Sequence, residues 1–191
     1  MKMEFAFKAL IMGITDGKSQ MLLDYALVGE EGKQKNYGLK QEQLDARFSK
    51  ERKDESPVKQ RIEEYDKSKI ELMIEMIRRA IKNHICFDYV LADSWFACAE
   101  IIRFITSRHI DCHYLGMIKM GTIKYEYNGK EYTAKQLVSK LNNKSERKYS
   151  RKLHCHYITA DVRFAGRKVR LFFCKRSNHD KWNGLITITV R

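Results

Sequence analysis

One carboxylate in this chain stands where sites are often built. Asp93 follows the apolar run Tyr89, Val90, Leu91 and Ala92, and precedes Ser94 and an apolar-periodic stretch, all within "YVLADSWFACAEIIRF". The run reads as a buried strand over 88–92. Ser94, a helix N-cap type, then leads into a helix over 97–108 that buries Ile101, Ile102 and Ile105. The C-terminal edge of a strand is where α/β sheets assemble their chemistry. An ionised group at the end of a buried strand carries a desolvation cost unless it is paired. A helix cap or an ion pair is the plain explanation. The chemically sharper one is a metal carboxylate. Carboxylates hold Mg²⁺ together with water and substrate phosphates. Two such ions activate the attacking oxygen and steady the leaving oxygen of a phosphodiester.

The other reactive groups point less far. "DCH" at 111–113 and "LHCHY" at 153–157 are the dense Cys/His groups. Neither has the C-x₂-C or H-x₃-H spacing of a zinc site. His154 and His156 would share one strand face, with Cys155 on the other, and they read as core or surface residues. The five cysteines (Cys86, Cys98, Cys112, Cys155, Cys174) are odd in number and scattered over apolar segments. They read as reduced thiols of a cytoplasmic protein, not as a disulfide framework. No G-x-S-x-G, Walker or G-x-G-x-x-G motif occurs. The start of the chain is interrupted by Glu4 and Lys8 and reads as no signal peptide.

The elements that must position Asp93 follow from pattern. Residues 5–14 read as a buried strand, Asp16-Gly17 as a hairpin turn, and 20–28 as the returning strand. The charged stretch "GEEGKQKNYGLKQEQLDARFSKERKDESP" reads as a loop, after which Ser56-Pro57 starts a helix. A second helix spans 67–83, with Ile70, Met73, Ile74, Ile77 and Ile81 on one stripe. "CHYLGMI", 112–118, is a further strand. Hairpin, helix, strand, helix, strand is an α/β pattern with a mixed sheet. Beyond 118 the chain turns β-rich. "TIKYEYNG" alternates and ends in Asn128-Gly129, "KEYTAKQLVSKLNN" is a strand start and a short helix, two alternating strands surround a Gly turn, and "WNGLITITV" is a final strand. The expected domains are therefore a partial core over 1–118, a basic β-rich insertion over 119–181 and a return strand over 182–191. No apolar run approaches the length of a membrane span.

Charge separates the same two halves. Residues 1–95 hold 17 Lys+Arg and 17 Asp+Glu, whereas 118–181 hold 17 basic and 5 acidic residues. So local an imbalance favours a polyanionic partner, most simply nucleic acid, over a merely solvated face. Lys144, Arg147, Lys148, Arg151 and Lys152 form its densest cluster, in a polar turn region.

Taken together, "GITDG", "YVLADSWF" with its "EIIRFI" helix, "LGMIKMG", "YSRKL", "VRLFFCKR" and "KWNGLI" resemble the DDE transposases of bacterial insertion sequences, over almost the whole chain. The resemblance implies a ribonuclease H-like mixed sheet with flanking helices and a β-rich insertion. It implies metal-dependent DNA strand cleavage and transfer at transposon ends, with Mg²⁺ or Mn²⁺ as cofactor. Asp93 matches the family's second catalytic, metal-binding Asp, so metal and DNA phosphate would offset its desolvation. Trp182 falls where relatives carry a Trp that stacks on a flipped base, which makes it a DNA-binding candidate beside the basic cluster. The family's first catalytic Asp lies on a strand before the hairpin. Its third acid is a Glu in a Tyr-x₂-Arg-x₃-Glu-x₆-Lys pattern. Neither has a match here, and neither Asp16 nor Asp24 replaces them. The expectation is a transposase fragment truncated at both ends, inactive alone, that binds DNA and associates with itself through an uncovered sheet edge. The rival readings are a DNA-binding module without catalysis and a general basic RNA-binding domain.

Overall fold

The computed structural model describes residues 8–28, 53, 56–64, 67–107, 110–143 and 145–188. The expected charged loop before residue 56 therefore lies almost wholly outside the described residues. The chain divides into two compact units, Met1–Cys86 and Phe87–Arg191.

In the N-terminal unit, β1 (Ala9–Thr15) and β2 (Gln20–Leu27) form an antiparallel hairpin with a bulge between Met12 and Gly13. The Asp16-Gly17 turn closes as expected. The Asp16 Oδ1 accepts from the backbone N–H groups of Ser19 (2.6 Å) and Lys18 (2.8 Å), and Gly17 takes φ +86°. Those two bonds, Ser19's first, hold the Asp16 carboxyl below its usual range. Helix α1 (Pro57–Glu64) begins at Ser56-Pro57, and α2 spans Lys69–Lys82. Ser68 and Glu71 cap α2 reciprocally, an S-x-x-E capping box that the sequence carries in plain view.

Two expectations are corrected here. β1 is not buried on both faces: Ile11 is 66% exposed, and the strand alternates. The core face of α2 is also rotated from the expected stripe. Leu72, Met73, Met76, Ile77 and Ala80 are buried, while Ile81 is exposed. The helix is apolar around much of its circumference, so the hairpin it packs on decides which stripe is covered. Leu72 and Met76 close over Ala26, Leu10, Met12 and Val28. Burial of this kind contributes about 1.5–3 kcal/mol for each large side chain.

Asp24 of β2 is tied to the helices. Its Oδ1 accepts from Arg61 Nη2 and its Oδ2 from Arg79 Nε, both at 2.8 Å. The same two guanidinium groups donate to Glu64, whose side chain is 2% exposed. Asp16 and Asp24 are thus structural groups: a turn and an ion-pair knot.

Among its described residues the second unit has an eight-stranded mixed sheet in the order β3-β4-β10-β9-β8-β5-β6, with β7 pairing β8. β3 (Tyr89–Ala92) runs parallel to β4 (His113–Ile118), and α3 (Ala99–Ile105) links them. The remaining strands are β5 (Lys124–Tyr127), β6 (Lys130–Thr133), β7 (Lys148–Ser150), β8 (Cys155–Phe164), β9 (Arg167–Lys175) and β10 (Asn183–Ile188), with α4 (Ala134–Leu141) after β6. The turn signals act as read: Asn128 and Gly129 both take positive φ between β5 and β6, as do Ala165 and Gly166 between β8 and β9. The sheet passes through residue 118 without a break, because β10 pairs with β4 on one side and β9 on the other.

One face of this sheet is the core. Tyr114 pairs with Ile188, Gly116 with Ile186, Leu171 with both Ile186 and Ala160, and Phe173 with Ile158, all buried and in register. On the other face Tyr89, Leu91, Leu115 and Met117 are exposed. The expected buried strand has Tyr89 60% and Leu91 64% exposed, and among the described residues it is an edge strand that pairs only with β4. The hairpin likewise forms its own two-stranded sheet and does not share that of β3. Helix α3 is shorter than expected, and its N-cap is Cys98, not Ser94.

Tyr125 of β5 is 1% exposed, and its hydroxyl finds no partner among the described residues. Burial alone pushes its pKa up to about 12. A buried unsatisfied hydroxyl costs about 1–3 kcal/mol. Tyr125→Phe should therefore raise stability by about 1 kcal/mol and Tm by a few degrees. A fall in Tm on thermal denaturation would show that the hydroxyl has a partner in solution.

Candidate nucleic-acid interface

Register decides what the sheet brings together. β3 and β4 finish at one end of it. β9 also ends there, while β8 and β10 begin there, because Gly184 lies opposite Ile118, Asn183 opposite Cys174 and His156 opposite Lys175. β7 ends there too, with Ser150 opposite Cys155. Asp93, Lys119, Trp182, Lys175, Arg151 and Lys152 therefore share one end of the sheet although 89 residues separate Asp93 from Trp182 in sequence. Five strand spacings from β3 to β7 span on the order of 24 Å. That is the length of about seven nucleotides of one strand.

Asp93 is exposed, which corrects the expectation of a desolvated carboxylate. Its Oδ1 accepts from the backbone N–H of Trp95 at 2.8 Å, and its carbonyl accepts from Phe96 N–H at 3.2 Å. The carboxylate fastens the turn between β3 and α3. Tyr114, fully buried on β4, donates its hydroxyl to the Phe96 carbonyl at 3.1 Å and holds the same turn from below. Burial raises the Tyr114 hydroxyl pKa, with smaller contributions from Cys98 and Asp93. Gly116 leaves room for this arrangement: a Cβ there would collide with the Tyr114 ring.

A two-ion metal centre needs several carboxylates around a phosphodiester. Among the described residues no group of three or more His, Cys, Asp or Glu side chains comes close enough to hold a metal. Asp93 stands alone in that respect, so the described residues do not fit the Mg²⁺ or Mn²⁺ pair that the resemblance implies. The cysteines are free thiols; Cys112 and Cys155 are buried, and burial raises the pKa values of Cys98, Cys112 and Cys174.

Of the expected DNA contacts, Lys148, Arg151 and Lys152 are exposed, whereas Arg147 is half-buried and its N–H donates to the Asn143 carbonyl at 3.1 Å. Lys144 lies outside the described residues. Trp182 is half-buried just before β10, and the Lys175 Nζ sits 5.1 Å from its ring centroid. Lys175 itself is buried at 8% exposure and donates to the Asn178 carbonyl at 3.4 Å. Basic residues also gather at the opposite end of the β8–β9 hairpin, where Arg163, Arg167 and Lys168 are exposed; Arg170 nearby is paired with Asp161. Trp95 and Lys119, which are not among the expected contacts, also meet at the Asp93 end. The signal available was an aromatic two residues beyond the singled-out carboxylate.

Among known proteins, no family model, no curated protein and no solved structure matches this chain.

Proposed function

We propose that this chain is part of a DDE transposase and binds DNA across the end of the sheet that carries Asp93. The observation that carries the reading is the juxtaposition there of Asp93, the two tryptophans and the basic residues of β7, β9 and their turns. A ribonuclease H-like core is the finer reading of the mixed sheet. Its support is the parallel β3–α3–β4 unit with the carboxylate at the end of its first strand. In that core a further strand lies between the hairpin and β3. Here, among the described residues, the hairpin strands pair only with each other and β3 only with β4. An uncovered strand edge recruits another chain, so self-association belongs to the proposal. In the family, Mg²⁺ supplies the charge that drives phosphodiester cleavage. This chain's own contribution is to hold the DNA backbone through the basic residues at that sheet end.

A second reading, a DNA-binding module without catalysis, is favoured by the bond from Trp95 N–H, which gives Asp93 a turn-fastening role. One experiment separates the two. Labelled DNA carrying candidate transposon ends is incubated with the chain and Mg²⁺ at two salt concentrations, with sedimentation of the same samples. The expected result is salt-sensitive binding by an associated species, without nicking. Mg²⁺-dependent nicking abolished by Asp93→Ala would overturn the expectation that this chain alone is inactive. Absence of binding at low salt would remove the DNA reading altogether.

A further inference from the structure

We infer that Trp95, backed by Lys119, is a stacking site for an unpaired base of single-stranded DNA. The inference rests on the DNA-binding reading above and adds to it a residue and a ligand class. A single exposed apolar side chain is ordinary, but Trp95 combines three features. Its indole is 63% exposed, whereas Trp182 is half-buried beneath Lys175. Its backbone is pinned by the Asp93 carboxylate at 2.8 Å, and the following residues are held by the buried Tyr114 and Ala97. A rigid base under an exposed ring is a platform that loses little entropy when something stacks on it.

The third feature is charge. The Lys119 Nζ lies 3.6 Å from the ring centroid, a cation–π contact supplied by the residue just after β4. That ammonium brings a positive group within reach of the phosphate of a nucleotide stacked on the ring. Single-strand sites combine these two elements, an aromatic face for the base and a cation for the backbone. In a duplex the base faces are already stacked, so only the phosphate contact remains. The pair therefore distinguishes unpaired from paired DNA, a distinction that the general basic charge of this unit cannot make.

The test uses the full chain in a Trp182→Phe background, so that emission comes from Trp95 alone. Oligothymidylate should quench this emission, and a duplex of equal length should not. Trp95→Ala should weaken binding to oligothymidylate by about tenfold, within the roughly 5- to 150-fold range for one stacked base. It should change duplex affinity by less than about twofold. Trp95→Phe should fall between. The indole is exposed, so the variants should fold, which circular dichroism and thermal denaturation check. Unchanged affinity of Trp95→Ala for oligothymidylate overturns the inference and leaves the DNA reading standing, as would be expected if a protein partner covers the ring. An equal loss on duplex and single strand overturns it as well. If the unaltered chain binds neither form at low salt, the inference and the DNA reading fall together.

Discussion

Asp24→Asn should destabilise the N-terminal unit by about 2–3 kcal/mol at pH 7 and by progressively less as pH falls below 4. The side chain is 11% exposed and accepts one bond each from Arg61 and Arg79. Burial by itself would raise its pKa. The bonds from Arg61 and Arg79, the Arg79 charge and the Tyr25 N–H outweigh this and hold the carboxyl below the usual range. A group with a depressed folded pKa contributes stability that is present above its unfolded value near 4 and lost as pH falls through the folded value. The asparagine keeps the shape and removes the charge, leaving two guanidinium groups facing Glu64 and, from α2, Glu75. Breaking a fully buried pair costs about 3–5 kcal/mol; Arg61 and Arg79 are 28% and 31% exposed, so solvent screening lowers the figure. Both tryptophans lie beyond residue 86, so their fluorescence does not report this unit. Hydrogen exchange of the α2 amides at the two pH values does. A loss of protection in the variant that is the same at pH 3 and pH 7 would mean that Asp24 contributes shape and not charge.

Arg147→Ala, Lys148→Ala and Arg151→Ala together should flatten the salt dependence of DNA binding by roughly two to three units. Each neutralised phosphate contributes about 0.9 to the slope of log affinity against log salt, through counterion release. Lys148 and Arg151 are exposed on β7 and the turn that follows it, at or near the sheet end that holds Asp93. Arg147 is half-buried, so the lower figure corresponds to its making no phosphate contact. The control is the triple replacement of Arg163, Arg167 and Lys168, which sit at the far end of the β8–β9 hairpin. It should leave the slope within about one unit of the unaltered chain. The reverse result, a flattened slope in the control alone, would move the DNA path to the other end of the sheet.

Local signals carried much of this fold. Asp16-Gly17, Asn128-Gly129 and Ala165-Gly166 close hairpins because the glycines, with Asn128 and Ala165, take the left-handed backbone that such turns require. Ser56-Pro57 starts a helix because proline lacks only an N–H that the first helical turn leaves unused. Period-two alternation marked β5, β8 and β9 before any partner was known. Charge was equally legible, since the excess of Lys and Arg past residue 118 is a property of composition.

What sequence alone could not decide was every property that depends on a neighbour distant in the chain. "YVLA" is apolar enough for a central strand, yet among the described residues it is an edge strand, and Tyr89 and Leu91 lie on the exposed sheet face with Leu115 and Met117, because burial is set by what covers a face and not by its own side chains. The stripe of isoleucines on α2 has the right period, but the hairpin covers the face of Leu72 and Met76. Asp93 carries the same residues around it whether desolvated or exposed, and the turn geometry makes it an acceptor for Trp95 N–H. Asp93, Lys119, Arg151 and Trp182 come to one sheet end through strand order and register. Those are fixed by hydrogen bonding between strands and by the buried face from Tyr114 to Ile158, interactions that no local stretch of the chain contains.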